Sequence, residues 1–283
     1  MGREILGLRT NLSQGTSFLL GLVSPTLVLG AWCVLSYGGF APPDFLPSPT
    51  EVLRGILQLF IEHDLWGAIL VSSRRIGIAF LLASAVAVPL GVLMGSFEAI
   101  NRLFEPVMAP LRYMPISAFI PLLILWFGIY EKQKIAFLFL GVFVYLLPVV
   151  VSAIRAVPEE LVQTALTLGA SKWQVIRTVL VQTARTLGAS RTQVILSVLL
   201  PSALPEICDS FRVMNAISWT YVILAEAVNP EHGLGYMVEL ARTHQKASWS
   251  FAGLFVIGGI GLVTDSAIRL FWNVAFRWKE KGV

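Results

Sequence analysis

The sequence predicts an all-α polytopic membrane protein with about six transmembrane helices. Of its 283 residues, 56% are hydrophobic and 13% are charged, and the mean hydropathy is +0.75. A soluble domain is about a quarter charged, so there are too few charges here to cover a water-facing surface. Several runs approach or exceed the roughly 20 apolar residues that a helix needs to cross a bilayer. We therefore expect a single membrane domain over residues 1–283.

Hydropathy places six spans along the chain. The polar, basic residues 1–15 precede a first span that we expect to be retained, because no small-residue cleavage site closes it. The third span is the least regular, since four prolines interrupt it. The predicted spans are residues 16–37, 75–96, 105–128, 134–154, 203–228 and 249–273, and the prolines are Pro106, Pro110, Pro115 and Pro121.

The connection between the first two spans, residues 38–72, contains a short amphipathic segment. Its proline-rich start predicts extended chain, and Thr50 is placed to cap a helix over residues 51–62. This helix is too short to span, so we expect it to lie at the membrane interface.

The distribution of Lys and Arg predicts the orientation. With the N-terminus inside, the cytoplasmic segments hold 11 of these residues and the external loops hold 5. This excess favours both termini, and the connection over residues 156–201, in the cytoplasm, with the inverted topology as the alternative.

The long connection contains a stretch that occurs twice. Residues 162–180 and 181–199 abut, and 14 of their 19 aligned positions are identical. Gly169 and Gly188 stand at the same place in each copy and are typical of a helix end, and Ser190 is placed to cap the next helix. Glu160 follows Pro158 in a predicted first turn, where the helix dipole favours a carboxylate. We expect short helices with small residues at their elbows, which suit a docking surface better than an active site.

The second copy resembles the EAA-type loop of ABC importer permeases. The pattern is Gln182-Thr183-Ala184, then Gly188 after three residues, then Leu200-Pro201 at the end. FLPSPTEVL (45–53), RYMPISAFIPLLILWFGI (112–129) and GLGYMVELAR (233–242) resemble the nitrate/sulfonate/taurine/bicarbonate branch of the same family. The likeness covers roughly residues 42–280.

The resemblance implies a multi-pass permease of the bacterial inner membrane whose loop forms coupling helices on a cytoplasmic ATPase. The implied partners are two ATPase subunits, which bind the ATP and Mg, a second permease copy and an external solute-binding protein. The implied substrate is a small anion such as nitrate, bicarbonate, a sulfonate or taurine, although relatives also carry thiamine-precursor pyrimidines. The implied coupling residues are Gln182, Thr183, Ala184, Gly188, Ala189, Ser190, Leu200 and Pro201, with Gly169 and Glu160 from the preceding part of the loop.

The chain departs from the family pattern in two ways. Gln163 and Gln182 stand where the family has Glu, and the motif occurs twice rather than once. Nineteen residues of continuous helix add about 100° beyond five full turns, so the two copies cannot present one face to one groove without an elbow. We expect the second copy to dock, because Leu200-Pro201 fixes its exit. A tolerated loop insertion is the competing interpretation of the duplication.

Charged residues inside the predicted spans form the second candidate site. Arg75, Arg112 and Arg212 could line an anion path, since intramembrane charges are costly and default to paired or functional roles. The alternative for Arg212 is an ion pair with Asp209, three residues earlier on the same helical face. A competing class is an ion-coupled secondary transporter that uses Asp209, Glu226 or Asp265 as a proton or sodium site.

Other functional classes find little support in the sequence. It has no Walker motif and no nucleophile–base pair, so we expect no enzymatic activity from this chain and no cofactor of its own. The basic residues are scattered, which argues against nucleic acid. Cys33 and Cys208 lie in apolar segments and are predicted to be free, and the three histidines lack metal-ligand spacing.

Overall fold

The computed structural model describes residues 14–158 and 191–275, and all regular structure within them is helical. The helices are α1 (Gln14–Tyr37), α2 (Pro49–Glu62), α3 (Leu65–Ser96), α4 (Glu98–Leu111), α5 (Ile120–Phe127), α6 (Glu131–Arg155), α7 (Arg191–Val194), α8 (Leu200–Ala227), α9 (Leu234–Thr243) and α10 (Ala247–Ala275). A 3₁₀ turn, Ile116–Phe119, precedes α5, and a π-helical turn, Ile195–Leu199, joins α7 to α8.

The described chain divides into two compact units. One contains the residues up to Asp64 together with Met237–Phe255, and the other contains Leu65–Tyr236 and the residues from Val256 onward.

Four helices in the described ranges are long and apolar enough to cross a membrane, namely α1, α3, α6 and α10. The bent pair of α4 with residues 116–127 makes a fifth if it counts as one span. The remaining predicted span, the fifth, corresponds to α8, which has 28 residues but is more polar. Each predicted span thus has a helix, which confirms the fold class.

The third predicted span is sharply bent rather than evenly interrupted. Its two halves meet at 93°. Pro106 and Pro110 lie inside α4. Pro121 occupies the first turn of α5, where the backbone N–H groups have no partner within the helix, so the N–H that proline lacks costs no hydrogen bond. The break therefore falls between Leu111 and Ile116, where Pro115 disfavours helical backbone in the residue before it.

Small residues on α3 let α6 approach closely. Ala83, Ala87, Gly91 and Gly95 recur every four residues and so share one face of α3. A Cβ atom at Gly91 would lie 2.7 Å from the Val150 side chain, and one at Gly95 would lie 2.7 Å from Ile154. Lipid tails are as apolar as the side chains, so close packing of this kind, rather than exclusion of water, holds helices together in a membrane.

The unit containing α1 and α2 is held by two tryptophans. The Trp32 ring stacks on Phe255 with centroids 5.5 Å apart, and its Nε1 donates to the Pro47 carbonyl at 2.9 Å. Trp249, at the start of α10, donates from Nε1 to Gln58 Oε1 of α2 at 2.9 Å. α2 is thereby joined to the first turns of α10.

The cap of α2 is Ser48, not Thr50 as expected from the sequence. Pro49 occupies the first helical position, so the cap lies one residue before it. The Ser48 backbone N–H donates to Glu51 Oε2 at 2.7 Å and the Glu51 backbone N–H donates to Ser48 Oγ at 3.4 Å, which together form a capping box. The Ser48 hydroxyl also donates to Glu51 Oε2 at 2.9 Å. These bonds, the backbone one foremost, hold the pKa of the Glu51 carboxyl below its usual value.

Replacing Ser48 by Ala should fray the start of α2, because a lost N-cap costs about 1 kcal/mol. Hydrogen exchange across residues 48–54 at neutral pH should accelerate about fivefold. The depressed pKa of Glu51 means that the capping contribution is present at neutral pH and lost as pH falls through that pKa. Ser36→Ala is the matched control, because the Ser36 hydroxyl bonds only carbonyls of its own helix. Equal acceleration in both variants would contradict this assignment.

Candidate functional site

A buried cluster of charges joins α3, α6 and α8. Arg75 of α3 is 2% exposed. Its Nη1 donates to Glu226 Oε1 of α8 at 2.7 Å, and its Nε lies 3.0 and 3.1 Å from the Glu131 carboxylate oxygens of α6. Nη1 also donates to the His232 carbonyl at 2.7 Å. The guanidinium is therefore engaged by two carboxylates and one backbone carbonyl.

Glu226 is completely buried and accepts bonds from the chain around it. The Ser72 hydroxyl donates to Oε1 at 2.7 Å, and the Gly235 N–H donates to Oε2 at 2.7 Å. Ser72 in turn accepts from the Leu234 N–H at 2.9 Å. Gly233 has a φ of +114°, and a Cβ atom there would collide with the Glu226 carboxylate. The segment after α8 can therefore wrap this carboxylate only with glycine at that position.

Lys134 is a second buried cation beside the cluster. It is 2% exposed, and its Nζ donates to the Asn229 carbonyl at 2.8 Å. The buried cations Arg75 and Lys134 thus accompany the carboxylates Glu131 and Glu226, and the exposed Arg74 also lies 3.5 Å from Glu131. Sequence reasoning missed Ser72, Glu131 and Lys134, since Glu131 and Lys134 had been placed at the edge of a predicted external loop.

The three arginines predicted to line an anion path lie in three separate places. Arg75 is enclosed in the buried cluster, which gives it the geometry of a structural link. Arg112 pairs with Glu105 at 2.7 Å beside a cavity of about 300 Å³ between α4 and α6. Arg212 pairs with Asp265 at 2.8 Å and with Asp209 at 3.2 Å, which confirms the pair predicted from their spacing.

Arg212 borders a larger cavity, of about 560 Å³. Its lining residues are Glu206, Asp209, Arg212, Arg269, Trp272 and Asn273. Asp265 holds both cations of this region, since Arg269 lies 3.0 Å from Asp265 Oδ2. The three carboxylates considered for an ion-coupled transporter, Asp209, Glu226 and Asp265, are thus each paired with an arginine.

α8 exposes a face that suits water or protein better than lipid. Glu206, Asp209, Val213, Ala216 and Thr220 are exposed and recur at intervals of three and four residues. Exposed positions in the middle of α3 are instead apolar, as at Leu81, Leu82 and Val86. Polar and small side chains on a membrane helix face a bundle interior, a partner or a water-filled cavity. The spacing of Glu206, Asp209 and Thr220 along the sequence already indicates this face of α8.

Most of the predicted coupling residues lie outside the described residues. These are Glu160, Gly169, Gln182, Thr183, Ala184, Gly188, Ala189 and Ser190. Leu200 and Pro201 are described, and they form the first turn of α8. Leu200 packs against the core shared by α3 and α6, as does Val157 at the other end of the loop. Both ends of the connection are thus fixed in one core.

Comparison with solved structures identifies the class of fold. A chain from the inward-facing MetNI methionine ABC transporter matches with a TM-score of 0.57, covering 80% of this chain and 96% of its own, at 16% identity. The fold is that of an ABC transporter membrane subunit.

Comparison of sequences identifies the family. The profile of the binding-protein-dependent transport system inner membrane component matches residues 87–182 and 178–273, and the two matches meet inside the doubled stretch. This chain belongs to that family and is a permease subunit of an ABC transporter.

Two relatives align over nearly the whole chain. A protein named as an aliphatic sulfonates transport permease, SsuC of Bacillus subtilis, is 29% identical over 93% of this chain and 88% of its own. The taurine transport system permease TauC of Escherichia coli K12 is 30% identical over 95% and 92%.

Replacing Arg75 by Leu should strongly destabilise the protein, because it leaves Glu226 buried without its cation. Breaking a buried pair in this way costs roughly 3–5 kcal/mol. Thermal unfolding in detergent should show a large fall in the midpoint, and Arg75→Leu/Glu226→Leu should recover part of it. Arg102→Leu is the control, since the Arg102–Glu98 pair is exposed and should change little. A double variant worse than the sum of both single variants would contradict the link.

Proposed function

We propose that this chain, with a second copy, forms the translocation path of an ATP-driven importer of a small sulfonate-type anion. The relatives named for aliphatic sulfonates and taurine, aligned over nearly the full chain, carry this proposal. A cytoplasmic ATPase pair supplies the bound ATP and Mg, and an external binding protein delivers the solute. Nitrate, bicarbonate and thiamine-precursor pyrimidines are the competing substrates.

Coupling to the ATPase runs through residues 156–201. α6 ends at Arg155 and α8 begins at Leu200, so a displacement of the loop by the ATPase is transmitted to both helices. The 25 residues of α6 extend roughly 37 Å, and its far end carries Glu131 of the buried cluster. Glu226 stands near the far end of α8. Arg75 of α3 binds both carboxylates at one end of these two helices, and the loop joins the helices at the other end, which gives a continuous physical route for a two-state motion.

The solute path follows the exposed face of α8. This face carries the polar groups of Glu206, Asp209 and Thr220, which lipid does not favour, along with the apolar Val213. Of the three arginines considered for the path, Arg212 is the one on α8, and it borders the cavity of about 560 Å³ together with Arg269. A sulfonate could accept hydrogen bonds from both guanidinium groups by competing with Asp265.

Uptake by the reconstituted complex tests the transport class. Proteoliposomes containing the permease, its ATPase and the binding protein should accumulate taurine or an alkyl sulfonate only when ATP is present on the side of the membrane that carries the ATPase. A proton gradient without ATP should give no uptake. The matched control is the same complex with a hydrolysis-deficient ATPase. Uptake that follows the proton gradient and ignores ATP would overturn the proposal in favour of a secondary transporter.

Replacement of Gly188 by Val should uncouple ATP hydrolysis from transport, because a β-branched residue disfavours the backbone expected at the elbow of the docking copy. Gly169→Val is the matched control in the first copy and should be less sensitive. Both activities are measured in the same proteoliposomes. Equal loss of coupling in the two variants would show that the second copy has no privileged role.

Deletion of residues 162–180 tests the duplication directly. If one copy docks, the shortened loop retains coupling at or above the level of the full chain. A deletion variant that inserts normally and binds ATPase but does not transport would show that the first copy is required.

A further inference from the structure

The amphipathic helix α2 has three distinct faces. Val52, Gly55 and Leu59 are buried and share one of them. Arg54, Gln58 and Glu62 follow each other at intervals of four residues and form a polar face. Leu53, Leu57, Phe60 and Ile61 form the third face, which is apolar and exposed. A helix that only covered a protein core would need the first two faces alone.

The buried face is fixed tightly to its own unit. A Cβ atom at Gly55 would lie 3.0 Å from the Ser248 carbonyl oxygen, so the backbones approach closely there. The His63 ring meets Trp249 edge-on at 5.0 Å between centroids, and Gln58 accepts the Trp249 bond. These contacts set the rotation of α2 about its axis, and so they determine where the other two faces point.

The apolar face presents large side chains that no residue in the described ranges covers. Leu57 is 61% exposed and Ile61 is 80% exposed. Phe40 and Phe45, shortly before the helix, are also strongly exposed. A contiguous patch of this kind marks a membrane or protein contact.

The chain places this patch at the level of the membrane surface. α1 is a spanning helix that ends at Tyr37, and α3 is a spanning helix that begins at Leu65. The Tyr37 hydroxyl lies 3.0 Å from Thr50 Oγ1, which ties the first turn of α2 to the end of α1. α2 is thereby held close to the end of α1, a helix that is long and apolar enough to cross a membrane.

We propose that α2 is a membrane-surface anchor whose Leu53, Leu57, Phe60 and Ile61 insert among lipid acyl chains while Arg54 and Glu62 face water. The division of the exposed surface into one apolar and one polar face is that of an interfacial helix. The exposed charges of α2 have both signs, so the contact depends on acyl chains rather than on lipid charge. The anchor ties the first turns of α10, through Trp249, to the membrane surface.

Spin-label accessibility tests this assignment on the full chain. Cys33 and Cys208 are replaced by Ser, and single nitroxides are attached through Leu57→Cys or Phe60→Cys. Glu62→Cys and Arg54→Cys are the matched controls on the polar face of the same helix. Phe60 and Glu62 lie about 160° apart around the helix, so one experiment samples both sides. The protein is reconstituted in phosphatidylethanolamine/phosphatidylglycerol vesicles and, separately, in pure phosphatidylcholine vesicles.

Labels on the apolar face should collide several-fold more with oxygen than with a water-soluble nickel chelate, in both lipids, and the controls should show the reverse. Equal access of the nickel chelate to both faces would show that the apolar face lies in water and would overturn the proposal. Low access of both reagents at Leu57 and Phe60 would mean that protein covers the face. That result, from a second copy or from added binding protein, would also overturn it. Leu53→Cys repeats the measurement if one label disturbs the helix.

Discussion

The buried ion pair between Arg75 and Glu226 is the interaction on which the larger unit depends. Taking either charge out of water costs several kcal/mol, and mutual attraction repays this only when the remaining donors and acceptors are also satisfied. Here Glu131, Ser72, the His232 carbonyl and the Gly235 N–H supply those partners. One electrostatic requirement therefore fixes the relative positions of three helices and of the segment that follows α8.

Packing between α3 and α6 complements this ionic link along their length. The charged cluster near the start of α6 joins the ends of the helices. The distance between α3 and α6 is set by the small residues on α3, namely Ala83, Ala87, Gly91 and Gly95. Gly141 performs the same role where α6 meets Tyr221 of α8. Charges and glycines thus hold α3, α6 and α8 together at different heights of one bundle.

The sequence predicts the helical spans well because their signal is local. A run of apolar residues predicts a span, and prolines predict a break in the third span, without any knowledge of which residues lie nearby in the folded protein. The roles of the charged residues were harder to predict, because Glu226 stands 151 positions from Arg75 in the chain and their pairing is a property of the fold. Asp209 and Arg212, three residues apart, were predicted as a pair for the converse reason. The Ser48 cap was within reach of the sequence, since Pro49 at the first helical position and Glu51 three residues after Ser48 both indicate it.

The π-helical turn Ile195–Leu199 has a consequence for the helix that follows it. A π turn closes its hydrogen bond over one residue more than an α turn does. It therefore fits one additional residue into the backbone that leads to α8. The direction of the α8 side chains from Pro201 to Glu226 depends on that additional residue, because each residue of a regular α-helix rotates the next by about 100°.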